Sequence, residues 1–370
     1  MSGRILVATR KGLMIYERAA GGAFQISKTA FLGDNVVFAM VDPRDGALYA
    51  ALKHGHFGGK MHRSDDRGAS WEEIGVPQYP EPPGGKSPDV CPARQIEIPW
   101  KLDLIWVLAP GGMDQPRLLW CGTIPGGLFR STDRGATWQL VQSLWENPAR
   151  KHWFGGGYDF PGIHSILVDP RDSRRVTVGI SCGGVWQTTD GGETWECRAT
   201  GMRAAYMPPE LANDPNTQDP HIVVGCPAAP DYMWTQHHNG IFRSTDGAAS
   251  WHEVSPGVSG FGFACAVHPA HGDTAWFVPA MSDEKRIPVD GRLVVTRTRD
   301  GGRTFDVLSA GLPSEHAYDI VYRHALDVDA TGRCLSFGTT TGSLFVSDDV
   351  GDHWRMLSAH LAPVHSVRMA

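Results

Sequence analysis

Histidine is the residue type that this sequence places where metal chemistry would need it. Several short apolar runs end in a dipeptide: Asp42-Pro43, Ala109-Pro110, Asp169-Pro170, Cys226-Pro227 and His268-Pro269. Five residues before the first member of each pair stand Val37, Leu104, His164, His221 and Phe263. Two further runs lack the proline, and matching their strand pattern puts His316 and His365 at the same place. Histidine thus fills four of seven equivalent positions, in a chain with 16 His among 370 residues. His54, His56, His237 and His238 fall in loops expected on the same side. Neutral imidazole is the commonest nitrogen ligand of Zn, Fe, Cu and Ni. Imidazoles converging from rigid strand ends would form a preorganised site for a divalent transition metal, with Zn, Fe or Mn as the expected ions. Four His leave open positions on Fe(II) or Mn(II), and three His plus a water suit catalytic Zn(II). The alternative is that these rings hydrogen-bond backbone in a solvated channel.

A metal-bound water needs a base, and a bound substrate needs walls. Three long loops, 75–102, 143–163 and 199–220, exceed ordinary connections. They supply Glu97, Asp159, Glu210 and Asp219 as expected bases or as carboxylates that orient the histidines. Trp153 and Tyr158 are expected to touch substrate, and Arg10 and Lys11 to hold an anionic group on it. The first expectation is therefore a metal-dependent hydrolase or oxygenase acting on a small molecule or short polymer. A second chemistry needs no metal. Glycoside cleavage uses two carboxylates, and Asp159, Glu210, Asp214 and Asp319 are available, though no spacing singles out a pair. A third reading has no catalysis: Trp-rich stretches such as 100–106 would form a protein-binding scaffold.

The elements that must position these groups follow from a repeat. Ser or Thr, any residue, Asp, any residue, usually Gly, two more residues and then Trp or Phe recurs six times. The copies are Ser64–Trp71, Ser131–Trp138, Thr188–Trp195, Ser244–Trp251, Thr298–Phe305 and Ser347–Trp354, with a decayed seventh over 17–24. Each copy lies between apolar runs, as Leu128-Phe129-Arg130-Ser131 and Trp138-Gln139-Leu140-Val141 do, and reads as strand, tight turn, strand. The Asp side chain can accept from backbone N–H groups of its own turn, and the Gly can take positive φ. These Asp residues are therefore expected to lock turns. The aromatic positions are spaced by 47 to 67 residues, enough for one four-stranded sheet each.

The motif resembles that of the Asp-box (BNR repeat) proteins, and its copies cover nearly the whole chain. The resemblance implies an all-β, seven-bladed β-propeller with the turns on its periphery. Sialidases, xyloglucan-degrading glycosidases, sortilin-type receptors and a photosystem assembly factor share that scaffold, so function stays open. Sialidases carry an early Arg-Ile-Pro. Here Arg286-Ile287-Pro288 comes late, in an insertion of the sixth blade, and is not expected to play the same part. One ring is expected over residues 1–370. Its blades span about 1–33 plus 363–370, 34–76, 100–142, 162–199, 219–256, 260–310 and 314–360. The run from Met1 to Thr9 supplies no innermost strand of its own. The segment His365–Met369 is therefore expected to pair beside Ile5–Val7 and close the ring, which removes exposed sheet edges.

Bulk properties agree with such a protein. Gly 44 and Pro 26 fit a turn-rich chain. A net charge of −6 argues against nucleic acid as the main partner. No run of 18 apolar residues offers a membrane span. Seven cysteines, odd in number and without close pairs, read as reduced thiols. With no signal-peptide pattern they suggest a cytoplasmic location. Cys182 beside Gly183-Gly184 is the one thiol placed for reactivity, and a buried filler is its ordinary alternative.

Overall fold

The computed structural model describes residues 3–370, so Met1 and Ser2 of the first strand pattern lie outside the described residues. The described chain folds into seven sheets of four antiparallel strands each, arranged as a seven-bladed β-propeller with almost no helix. The fourth-blade sheet is representative: Gly162–Asp169, Asp172–Ser181, Gly184–Thr188 and Glu196–Cys197, in sequence order from the axis outward. The ring closes with strands from both ends of the chain. Val364–Met369 pairs antiparallel with Arg4–Thr9, with Val367 opposite Val7. Val364 and Val367 are buried, and Ser366 Oγ accepts from the Ala39 N–H at 3.2 Å, so the last strand also ties blade one to blade two.

The repeated turns act through their Asp carboxylates. In the second copy, Asp133 Oδ1 accepts from the Thr137 N–H (2.9 Å) and the Ser131 hydroxyl (2.7 Å), and Oδ2 accepts from the Thr137 hydroxyl (2.6 Å). Ser131 Oγ in turn accepts from the Gly135 N–H at 2.8 Å. Burial alone would raise the Asp133 pKa, but these donors outweigh it and pull the value down to about 2. Asp66, Asp190, Asp246 and Asp300 make the equivalent bonds, and Asp349 does so with the His353 N–H and its ring Nδ1 in place of a hydroxyl. Two of the turn tryptophans hydrogen-bond across to the preceding blade: Trp138 Nε1 donates to Gly75 O (2.9 Å) and Trp251 Nε1 to Arg198 O (2.7 Å). A Cβ on Gly75 would stand 2.2 Å from Ala136 O, so the neighbouring blades fit only if position 75 is glycine. Rigid blades packed this closely fix the inner strand ends, which is what a site on the axis requires.

Candidate active site in the axial cavity

A cavity of about 510 Å³ opens where the inner strands begin, and all seven blades contribute to its lining. Its floor holds Asp219, at the end of the long loop before Pro220–Cys226. The backbone pins this residue on both sides. Its N–H points at His237 Nε2 (3.0 Å), and its C=O accepts from the His238 N–H (3.0 Å). The carboxylate is 3% exposed and well supplied with donors. Oδ1 accepts from the Cys182 N–H (3.0 Å) and the Ser181 hydroxyl (3.2 Å). Oδ2 lies 3.5 Å from both His221 Nε2 and His238 Nδ1. Burial would push the Asp219 pKa up, but His221, His238 and the charge of Arg323 outweigh it, and the group stays ionised. The glycine at 156 allows the overlying loop to come this close, since a Cβ there would sit 2.8 Å from the Cys182 sulfur and 3.5 Å from Asp219 Oδ2.

Hydrogen-bond accounting shows where a proton can reside. His221 Nδ1 is 2.6 Å from Gly262 O, and a carbonyl only accepts, so Nδ1 carries hydrogen. In the neutral ring Nε2 is then a lone pair facing a carboxylate oxygen. One added proton would be shared between His221 Nε2 and Asp219 Oδ2. Burial lowers the His221 pKa, with Asp219 opposing it. Asp219 is thus poised to take a proton from a bound water or hydroxyl, with His221 as the adjoining relay. His221 also stacks on Phe263 with ring centres 4.6 Å apart.

The walls suit a polar ligand with apolar faces. Trp106, Tyr158, Phe154, Tyr206 and Tyr322 present rings to the cavity. Asn35 and His365 also line it, and their Oδ1 and Nε2 atoms are buried with no hydrogen-bond partner among the described residues. Two carboxylates, Asp283 and Glu284, come from the blade-six insertion together with Arg286.

Several sequence-based assignments need correction. Of the four expected carboxylates only Asp219 reaches the cavity. Glu97 faces Lys86 on the surface, Asp159 pairs with Arg94 (3.0 Å), and Glu210 is exposed on its loop. Tyr158 lines the cavity, but Trp153 is fully buried against Trp186 and serves as core. Arg10 and Lys11 are exposed and do not line the cavity.

The four-histidine ring does not assemble. His316 sits exposed in an irregular stretch, because the inner strand of blade seven is only Leu326–Val328. The ring that faces the channel there is His324, which donates to His164 O at 2.7 Å and packs edge-on to Phe38. His164 is buried beside Ser165 and lines the far side of the channel with His324. His365 borders the cavity, where burial, with Arg10 nearby, lowers its pKa to about 4. His54 pairs with Asp34 at 2.9 Å, His56 stacks on Phe57, and His237 is fully buried behind the floor. Of the eight, His221 and His238 come together in one group with the Asp219 carboxylate, their ligand-capable atoms within 4.8 Å of one another. Arg323, Asp283 and Glu284 were missed from sequence. For Arg323 a signal existed: an arginine interrupting Ile320-Val321-Tyr322 just before an inner strand.

A family model described as Sortilin-Vps10 (sortilin, neurotensin receptor 3) matches residues 126–309. Xyloglucanase Xgh74A of Acetivibrio thermocellus is 28% identical over 184 residues, covering 45% of this chain and 20% of that protein. A xyloglucanase of Paenibacillus sp is 24% identical over 333 residues, covering 84% of this chain and 29% of that protein. The chain therefore spans less than a third of the length of either relative. The crystal structure of the GH74 xyloglucanase from Xanthomonas campestris superposes with a TM-score of 0.63 at 20% identity, over 98% of this chain and 52% of that one. These relatives overturn the expectation of a metal-dependent hydrolase or oxygenase, since the enzymes it matches are xyloglucanases, which are glycoside hydrolases. Together with the family-model match, they support a β-propeller family for this chain.

Proposed function

We propose that this protein is a glycoside hydrolase acting on a polymeric carbohydrate of the xyloglucan type, with Asp219 as the base. The observation that carries the reading is an ionised carboxylate, anchored through its Oδ1, on the floor of an axial cavity in a propeller whose curated relatives are xyloglucanases. In this reading water attacks the anomeric carbon, and Asp219 takes its proton as the glycosidic C–O bond breaks. The departing oxygen takes its proton from cavity water, because Asp283 of the blade-six insertion is ion-paired with Arg286 and hydrogen bonds to its own backbone and to Ser282 hold Glu284 charged. Sugar rings stack on Trp106, Tyr158 or Tyr206. The chemistry calls for a carboxylate and water and needs no metal.

The test is release of reducing ends from xyloglucan, in the presence of a chelator, by the wild type and by Asp219→Asn. The substituted amide can still accept from Cys182 and Ser181 and can donate to His221 Nε2, so the fold is retained. The rate is expected to fall by about 10²–10⁴, the usual contribution of a positioned base. An inactive wild type, or an active Asp219→Asn variant, would overturn the proposal.

A further inference from the structure

Three arginines are buried among the described residues. Arg4 is met by Glu17 at 3.1 Å. Arg297 is met by Asp306 (2.9 Å), Asp352 (2.8 Å) and the Val350 carbonyl (2.9 Å). Arg323 is 7% exposed, lines the axial cavity, and makes no hydrogen bond or ion pair with any described residue; its Nε is sealed from solvent without a partner. A guanidinium stays charged at any physiological pH, and a buried charge is ordinarily paired. What Arg323 does have is aromatic support. Its Cζ lies 4.9 Å from the Trp106 ring centre and 5.5 Å from that of Phe263, so the planar fork is held in place by rings that leave its N–H groups free.

Neighbouring charges do not fill the gap. Burial disfavours charge on Arg323; Asp219 opposes this yet forms no ion pair with it, and its own oxygens already face Cys182, Ser181, His221 and His238. Arg286 lies over the same Phe263 ring (5.4 Å) and adds a second positive charge, which disfavours charge on Arg323. Arg286 is bound to Asp283 through paired hydrogen bonds, whereas Arg323 is not. The protein thus builds a rigid cationic fork facing the cavity and supplies no anion for it. A planar carboxylate matches such a fork with two parallel hydrogen bonds.

We propose that the axial cavity recognises an acidic sugar, with Arg323 gripping the carboxylate of a hexuronic acid unit. This rests on the reading of the cavity as a carbohydrate site and adds a charged sugar unit to the neutral ones of a xyloglucan-type polymer. The aromatic walls would take the sugar ring, while Arg323 would select the charged unit over a neutral hexose.

The experiment titrates the full chain with glucuronate, glucose, methyl glucuronate ester and glucose 6-sulfate, followed by calorimetry or ligand-observed NMR. Glucuronate is expected to bind at least tenfold tighter than glucose or the ester. Arg323→Gln should bring that preference to within twofold, and Arg323→Lys should leave it intermediate, because an ammonium keeps the charge but loses the fork. If Arg323→Gln does not fold, Arg323→Lys with an unchanged melting curve carries the comparison. Equal binding of glucuronate and glucose, binding of neither, or tighter binding of the sulfate would overturn the inference. Cleavage of neutral xyloglucan without any glucuronate preference overturns this inference and leaves the hydrolase reading standing. Arg323-dependent glucuronate binding in a protein that cleaves no glycoside supports this inference and removes the hydrolase reading.

Discussion

Replacing Asp133 by alanine tests the idea that the repeated carboxylates hold turns and do nothing else. The side chain accepts from the Thr137 N–H and hydroxyl and from the Ser131 hydroxyl. Its pKa falls from 3.8 to about 2. A shift of that size would correspond to roughly 2.5 kcal/mol if fully realised. The turn is partly solvated, and screening reduces the contribution to about 1 kcal/mol at neutral pH. For a chain of this length the unfolding entropy is about 0.8 kcal/mol per degree, so the melting temperature should drop by roughly 1–2 °C. The pH dependence is the sharper prediction. A depressed carboxylate pKa adds stability that is fully present above the unfolded value near 4 and is lost as pH falls through the folded value of about 2. Melting curves of wild type and Asp133→Ala should therefore differ most at neutral pH and converge between pH 4 and 2. A gap that stays constant to pH 2, or widens there, would refute the reasoning.

Deleting residues 363–370 removes two fully buried valines and the strand paired with Arg4–Thr9, and should give an aggregated or unfolded protein by size-exclusion chromatography. A monomeric truncation with an unchanged melting temperature would contradict ring closure. Cys182 should resist iodoacetamide at pH 7, because burial and the adjacent Asp219 carboxylate push its thiol pKa well up; rapid labelling of the folded protein would count against that environment. His316→Ala should leave stability and activity within error, since the ring is exposed on an irregular segment away from the cavity.

The architecture was legible because the turn motif reports local chemistry. Ser131, Asp133, Gly135 and Thr137 bond to one another within seven residues, so sequence spacing alone determines their contacts. The closing strand was legible because the N-terminal blade lacked an innermost strand and His365–Met369 offered a spare one, which pairs with Arg4–Thr9. The site was not legible in the same way. Asp219 was identifiable as a loop carboxylate, but its partners arrive from Ser181, Cys182, His221 and His238, and only the folded ring shows which atoms meet. His316 was placed by a strand template that slid eight residues from His324. A three-residue inner strand leaves too little periodicity to fix the register. Arg323 stood out only as a charge beside the apolar run Ile320-Val321-Tyr322, and its lack of a counterion shows only in the folded ring. Asp283 and Glu284 lie on the blade-six insertion, outside the blade template that placed the other candidates.

The central claim is that carbohydrate occupies the axial cavity. A crystal of the Asp219→Asn variant soaked with a xyloglucan oligosaccharide tests it most directly. The account predicts sugar density above position 219, with a ring against Trp106, Tyr158 or Tyr206. Density confined to the outer edge of the blades, with the axial cavity holding only solvent, would contradict it.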